Sequence, residues 1–217
     1  MTVFDRAPRF IKLEMEVLAH KFQRDLNRII DTDKNTRRRG LQNLLDSLPW
    51  SNNNERPSLV QFINTYLFDI LLSSISDPVE KCREISIQLT SKVLSIIPEL
   101  KKNKSYIEKL IPCLCNRLND TPFPEPSEEL RYELVQIIKL ILTESLSPTD
   151  VTIIITSLGK CLSDSFPNVK RLAAECITII AQLYSDNMRM AYKAVLEPLV
   201  ANGLHQHSKT RIITLKV

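Results

Sequence analysis

The sequence predicts an all-α fold, a right-handed α-solenoid of about five stacked helical hairpins, the last one truncated. Three observations lead there. Glycine is scarce: only Gly40, Gly159 and Gly203 occur in 217 residues, against a usual share of roughly 7%. Tight hairpins need glycine at positive φ, and phosphate loops need it for close backbone approach. Its scarcity therefore argues against all-β folds and nucleotide-binding α/β folds together. Second, Leu, Ile, Lys and Glu are abundant, which favours helix. Third, the chain repeats itself. DPVEKCREISIQLTSKVLSII from Asp77 and DSFPNVKRLAAECITIIAQLY from Asp164 both open on Asp, place a base six residues on (Arg83, Lys170) and run into an apolar helical pattern.

Aligning the base after each turn gives Arg37, Arg83, Arg131, Lys170 and Arg211, in steps of 46, 48, 39 and 41 residues. Their mean of about 43.5 lies in the range of HEAT and armadillo units. Asp31, Asp77, Asp164 and His205 stand six residues before four of these bases. In the third unit the reading takes Asp120 as the acid, eleven residues before Arg131, with the proline-rich TPFPEPSEE inserted between them. A helical hairpin cannot bury its apolar face alone, so stacked copies must each carry the same core pattern.

The elements follow in order. Residues 1 to about 8 read as a loose lead-in, and the units span approximately 9–50, 58–98, 104–146, 148–186 and 188–217 of a single array, 1–217. In the second unit SLVQFINTYLFDILLSSI is the first helix. Asp77 is then placed to cap the second helix, with Pro78 at its first position and Glu80 closing a capping-box-like pair. Along that helix Cys82, Ile85, Leu89, Val93, Ile96 and Ile97 form an apolar face, and Pro98 stops it. Ser105 to Glu108 reads as a capping box for the third unit, and Ser147-Pro148-Thr149-Asp150 starts the fourth. Val169, Leu172, Ala173, Cys176, Ile180 and Leu183 make the fourth unit's core face. LPWSNNNERPS and PELKKNKS are polar connectors, too short for domain linkers. The final helix starts near Ser208 and runs about two turns without a polar closing helix, so the expectation is the N-terminal part of a longer protein, or an end covered by a partner.

Two details favour HEAT units over other helical repeats. Pro112 and Pro198 fall inside the first helix of their units, where a proline bends the helix. The Asp-to-base spacing also resembles the HEAT ladder, in which the acid of one unit meets the base of its neighbour. The expected structural ladder is Asp31, Arg37, Asp77, Arg83, Arg131, Asp164, Lys170 and Arg211.

Catalytic signals are missing from the sequence. It has no Gly-rich phosphate loop. His205 and His207 flank Gln206 at a turn with no nearby acid or Cys to complete a metal set. Cys113 and Cys115 point about 200° apart on a helix, a poor zinc or redox pair. The expectation is therefore no enzyme, no cofactor and no metal. The net charge of +4 does not by itself suggest nucleic acid or membrane. The five cysteines with no secretory leader fit a reducing, cytoplasmic setting. TRRRG at 36–40 and KKNK at 101–104 are solvated turn charges or contacts for phosphate or acidic peptide, and Trp50 is placed to pack at its turn.

SDPVEKCREISIQL, PSEELRYELVQII, DSFPNVKRLAAECI and LEPLVANGLHQHSKTRI, taken in order, resemble the N-terminal half of the HEAT-repeat dynein axonemal assembly factor family over roughly residues 20–217. The resemblance implies a cytoplasmic, non-enzymatic factor for preassembly of dynein arms. It would hold dynein intermediate or heavy chains and work with chaperones and other assembly factors, as a monomer within the full-length protein. The second helices of such units usually line the inner curve, and Arg38, Gln42, Glu84, Gln88 and Lys92 are the candidate protein-binding strip. The rival readings are a HEAT adaptor for nuclear transport, phosphatase scaffolding or chromosome organisation, and a DNA glycosylase on helical repeats. The glycosylase would need an aromatic groove and a basic face, which 6% aromatics and a single Trp do not supply.

Overall fold

A computed structural model describes residues 9–52, 54–143 and 145–215. The lead-in expected at 1–8 and the last two residues of the final unit lie outside these. The described residues are helical throughout, with no strand among them. Their contacts divide the chain into two compact units, Met1–Ile97 and Pro98–Val217.

In the first unit, α1 (Arg9–Ile29) and α2 (Lys34–Ser47) form one hairpin. The next is formed by α3 (Arg56–Phe62), a single π turn at Ile63–Leu67, α4 (Phe68–Ser74) and α5 (Glu80–Ile96). First helices pack on first helices, α1 against α3, and second on second, α2 against α5. Leu41, Leu44, Leu59, Phe62, Ile63, Leu67, Ile85 and Leu89 are buried to 1% exposure or less. Phe62 sits between Phe22 and Tyr66, with both ring centroids at 6.0 Å. Gly40 lets α2 approach α1 closely, because a Cβ there would lie 2.8 Å from both the Arg28 Cβ and the Asp25 carbonyl oxygen.

The second unit opens with a 3-10 turn, Pro98–Lys102, then α6 (Lys104–Cys115) and α7 (Glu128–Ile141). It continues with α8 (Pro148–Cys161), α9 (Pro167–Leu183), the short α10 (Ser185–Ala191), α11 (Lys193–Gly203) and α12 (Ser208–Thr214). The same rule orders it: α6, α8 and α11 pack side by side in one row, and α7, α9 and α12 in another. Leu134, Ile138, Ile154, Leu158, Ala173, Cys176, Ile177 and Ile180 fill the space between the rows at 0% exposure. Pro112 and Pro198 do lie inside α6 and α11. Where α8 meets α11 at Gly159, a Cβ would come within 2.3 Å of the Ala194 carbonyl oxygen.

The caps correct the sequence reading in two places. Ser147 caps α8 as expected, accepting from the Asp150 N–H. For α5 the N-cap is Val79, not Asp77, and Pro78 precedes the helix; the Asp77 carboxylate reaches forward to the Val79 N–H at 2.8 Å. For α6 the cap is Asn103, whose side chain accepts from Tyr106 N–H, so Ser105 already belongs to the helix. At α5 the Asp77 side chain bonds the N–H two residues on, which makes Val79 the cap, and at α6 Asn103 bonds the N–H three residues on and so starts the helix ahead of Ser105.

Candidate protein-binding surface

Each turn between paired helices is built to one local plan. The side chain at position i accepts from the N–H of residue i+2, which is the N-cap of the following helix. This holds for Asp31 to Asp33, Asp77 to Val79 and Asp164 to Phe166, each at 2.8 Å. Glu125 does the same to Ser127 at 3.2 Å, and the His205 Nδ1 to His207 at 3.1 Å. The base at i+6 folds back onto the turn. Arg37 NH1 donates to the carbonyls of Asp31 and Thr32, Arg83 NH1 to Asp77 and Pro78, Arg131 NH1 to Glu125 and Pro126, and Arg211 NH1 to His205 and Gln206, all between 2.6 and 3.3 Å. One guanidinium thereby satisfies two turn carbonyls that the helix cannot.

The other edge of that guanidinium faces the neighbouring turn. Arg37 donates from Nε and NH2 to the two oxygens of Asp77 at 2.6 and 3.0 Å. Arg131 does so to Asp164 at 2.6 and 2.9 Å, with the Asp164 side chain fully buried. This is the bidentate geometry that favours Arg over Lys. Burial raises the pKa of the Asp77 carboxyl, but the bonds from Arg37 and from the Val79 N–H, with the charges of Arg37 and Arg83, outweigh it and hold the group below its ordinary range. Arg131 also lies 4.8 Å from the Phe123 ring centroid.

Two members of the ladder differ from the expectation. In the third unit the acid position is held by Glu125, not Asp120. Glu125 is fully buried and takes a 2.9 Å ion pair from Arg117, while Asp120 is exposed and bonds the N–H of Thr121. The acid therefore lies inside the TPFPEPSEE stretch, with only residues 121–124 ahead of it, and counting six residues back from Arg131 would have found it. At the fourth step, Lys170 turns to the Asn202 side-chain oxygen at 3.4 Å, and the Asn202 amide donates to the Leu162 carbonyl at 2.7 Å. His205 keeps the local turn role.

The candidate strip lies on neighbouring helices of the first unit, with Arg38 and Gln42 on α2 and Glu84, Gln88 and Lys92 on α5. Arg38 is exposed. Gln42 bonds Asp46, Glu84 takes Lys81 at 2.7 Å, and Gln88 reaches Glu84 at 3.4 Å. Lys92 is committed to the fold: its Nζ donates to the Leu45 carbonyl at 3.0 Å and lies 4.8 Å from the Trp50 ring centroid. The Trp50 indole N–H donates to the same carbonyl.

Burial pushes the Cys115 thiol up to about 11 and Cys176 up to about 12, and raises Cys161 well above its ordinary value. Protonated, buried thiols are poor nucleophiles. His20 lies in a shallow depression lined by Gln23, Arg24, Asn27 and Arg28 of α1 and by Asp31 of the following turn. Among the described residues no group of three or more His, Cys, Asp or Glu could hold a metal ion, and no helix is long and apolar enough to cross a membrane.

Residues 28–217 match the family described as "Dynein axonemal assembly factor 5-like, TPR repeats". The chain belongs to the dynein axonemal assembly factor 5-like family. It is 30% identical over 196 residues to dynein axonemal assembly factor 5 of Xenopus laevis, an alignment covering 89% of this chain and 23% of that protein. The proteins of that name from Mus musculus and Homo sapiens are each 30% identical over 153 residues, covering 67% of this chain and 18% and 17% of theirs. The chain thus spans about a fifth of the length of these relatives. The fold is that of armadillo-type repeat solenoids. A designed armadillo repeat protein in complex with the peptide (KR)4 superposes with a TM-score of 0.66 at 18% identity, over 95% of this chain and 83% of that one. A set of computationally designed armadillo repeat proteins for modular peptide recognition gives 0.62 at 18%, over 89% and 79%. Although the family's description speaks of TPR repeats, the steps of 39 to 48 residues between ladder bases exceed the 34-residue TPR period and suit HEAT or armadillo units.

Proposed function

We propose that this protein is a non-enzymatic scaffold for the assembly of axonemal dynein arms, binding dynein chains along its helical-repeat surface in the cytoplasm and working with chaperones and other assembly factors. The observation that carries this reading is membership of the dynein axonemal assembly factor 5-like family over residues 28–217. Repeat proteins of this architecture act by presenting an extended surface on which many modest contacts add. Buried, protonated thiols and acids already engaged in ladder pairs fit holding rather than bond-making.

Within the first unit, the α2 and α5 strip is the proposed contact for a dynein intermediate chain. Arg38 is its best probe, because it is exposed and its reversal disturbs no bond of the fold, whereas Lys92 supports the Trp50 turn. Arg38→Glu is expected to reduce co-precipitation of a dynein intermediate chain from cells building motile cilia, with helicity unchanged. Equal recovery with Arg38→Glu and the unaltered chain removes this strip. Failure of any dynein chain to co-precipitate with the unaltered protein removes the functional reading itself and favours a HEAT adaptor for other partners.

A further inference from the structure

The loop that joins α6 to α7 carries Pro122, Pro124 and Pro126 in alternation, within TPFPEPS. All three prolines are exposed, whereas Phe123 is half-buried and Glu125 is fully buried. The stretch thus has two faces, with pyrrolidine rings outward and anchors inward. Its backbone is restricted by the sequence itself. Proline fixes its own φ, and the residue before a proline is confined to extended backbone, so every residue from Pro122 to Pro126 is constrained before any tertiary contact forms.

The inner face is tied down along its length. The Arg131 guanidinium lies 4.8 Å from the Phe123 ring centroid, and its NH1 donates to the carbonyls of Glu125 and Pro126 at 3.0 and 2.9 Å. Arg117 pairs with the Glu125 carboxylate at 2.9 Å, and the Glu125 N–H donates to the Arg117 carbonyl at 3.1 Å.

The backbone donors decide what kind of partner the outer face can take. The three prolines have no N–H. Those of Thr121, Glu125 and Ser127 go to the Asp120 side chain, the Arg117 carbonyl and the Glu125 carboxylate. At most the Phe123 N–H is left for a partner. The segment therefore cannot pair with a sheet edge, where a strand needs a donor at every second residue. What it offers is ring faces and carbonyl acceptors, with exposed Asp120, Glu128 and Glu129 at its two ends.

We propose that residues 121–127 are a docking segment for a proline-recognising module of a partner protein, whose groove is lined by aromatic side chains and rimmed by Lys or Arg. Aromatic rings pack on the pyrrolidine rings, and indole or phenol donors reach the carbonyls. Charge complementarity with Asp120, Glu128 and Glu129 sets the basic rim. Held extended in advance, the segment loses little freedom on binding. The loop belongs to the second compact unit and is separate in sequence from the Arg38 strip, and the proposal does not depend on a dynein client.

The probes are purified SH3, WW and EVH1 domains, each immobilised, with the full 217-residue chain titrated over them by biolayer interferometry. At least one domain is expected to bind. Replacing Pro124 and Pro126 together by Ala should weaken that binding roughly fivefold or more, since ring contact and pre-organisation are both lost. Pro148→Ala, at an exposed proline on α8, serves as the control and should leave binding unchanged. The free peptide NDTPFPEPSEE, residues 119–129, should bind the same domain roughly fivefold more weakly than the chain, because it lacks the Arg117 and Arg131 anchors. The proposal is overturned if none of the domains binds, or if Pro148→Ala weakens binding as much as the double substitution. It is equally overturned if the double substitution lowers the melting temperature but leaves binding unchanged, since the prolines would then only stiffen the loop. A free peptide that binds more tightly than the chain overturns the claim that the fold presents the segment.

Discussion

Asp164→Ala tests the ladder where it is most buried. The substitution removes both acceptors of the Arg131 fork, at 2.6 and 2.9 Å, and the acceptor for the Phe166 N–H at 2.8 Å. Arg131 cannot swing out to water. Its NH1 is tied to two carbonyls at 3.0 and 2.9 Å, and its guanidinium lies against Phe123. The charged edge therefore stays buried and uncompensated, the situation in which losing one partner costs about 3–5 kcal/mol. The half-buried Phe166 N–H adds about 1 kcal/mol, for a total of about 4–6 kcal/mol. Arg131→Met alone should cost a similar amount, leaving a fully buried Asp164 with one backbone donor. The double substitution should cost clearly less than the sum of the two, with a coupling of about 2–3 kcal/mol. Urea unfolding followed by far-ultraviolet circular dichroism measures all four corners of the cycle. A loss below about 1 kcal/mol for Asp164→Ala, or no coupling, would refute the idea that these bases hold neighbouring turns together.

Other expectations follow from the same contacts. Gly159→Ala should destabilise by several kcal/mol, because its Cβ would sit 2.3 Å from the backbone oxygen of Ala194; Gly203→Ala, with open space around it, should be neutral or stabilise by up to about 1 kcal/mol, and paired thermal melts separate the two. Ser147→Ala removes the α8 cap and should cost about 1 kcal/mol in the same melts. Because the folded state holds His205 below its ordinary range, the unfolded chain binds more protons in that window; stability is full above about pH 6.5 and falls as pH drops toward the folded value. Urea midpoints at several pH values should show this slope, and His205→Asn should flatten it. N-ethylmaleimide at neutral pH should label half-buried Cys113 first, since Cys82, Cys115, Cys161 and Cys176 are buried and their thiols are raised by burial; mass spectrometry showing Cys176 modified as fast would contradict the packing of α9.

Helix content and hairpin repetition were legible in the sequence because they rest on local rules. Apolar residues three and four apart mark a buried helical face, proline and Asx residues mark the turns, and a base six residues past each turn lies one helical turn inside the next helix. These are properties of a few consecutive residues, and Arg37, Arg83, Arg131 and Arg211 all fold back onto turn carbonyls as that spacing implies. What each base grips beyond its own turn was decided by tertiary structure. Glu125 could replace Asp because one extra methylene still reaches Ser127 N–H, with residues 121–124 lying ahead of it. Lys170 takes Asn202 rather than His205 because Asn202 is the acceptor that α11 delivers to it. Lys92 read as a surface contact residue, yet packing α5 against α2 laid it over Trp50 and onto the Leu45 carbonyl. A long side chain's partner depends on which neighbouring element arrives within about 3 Å of its tip, and residues some forty positions away in the chain supply that element.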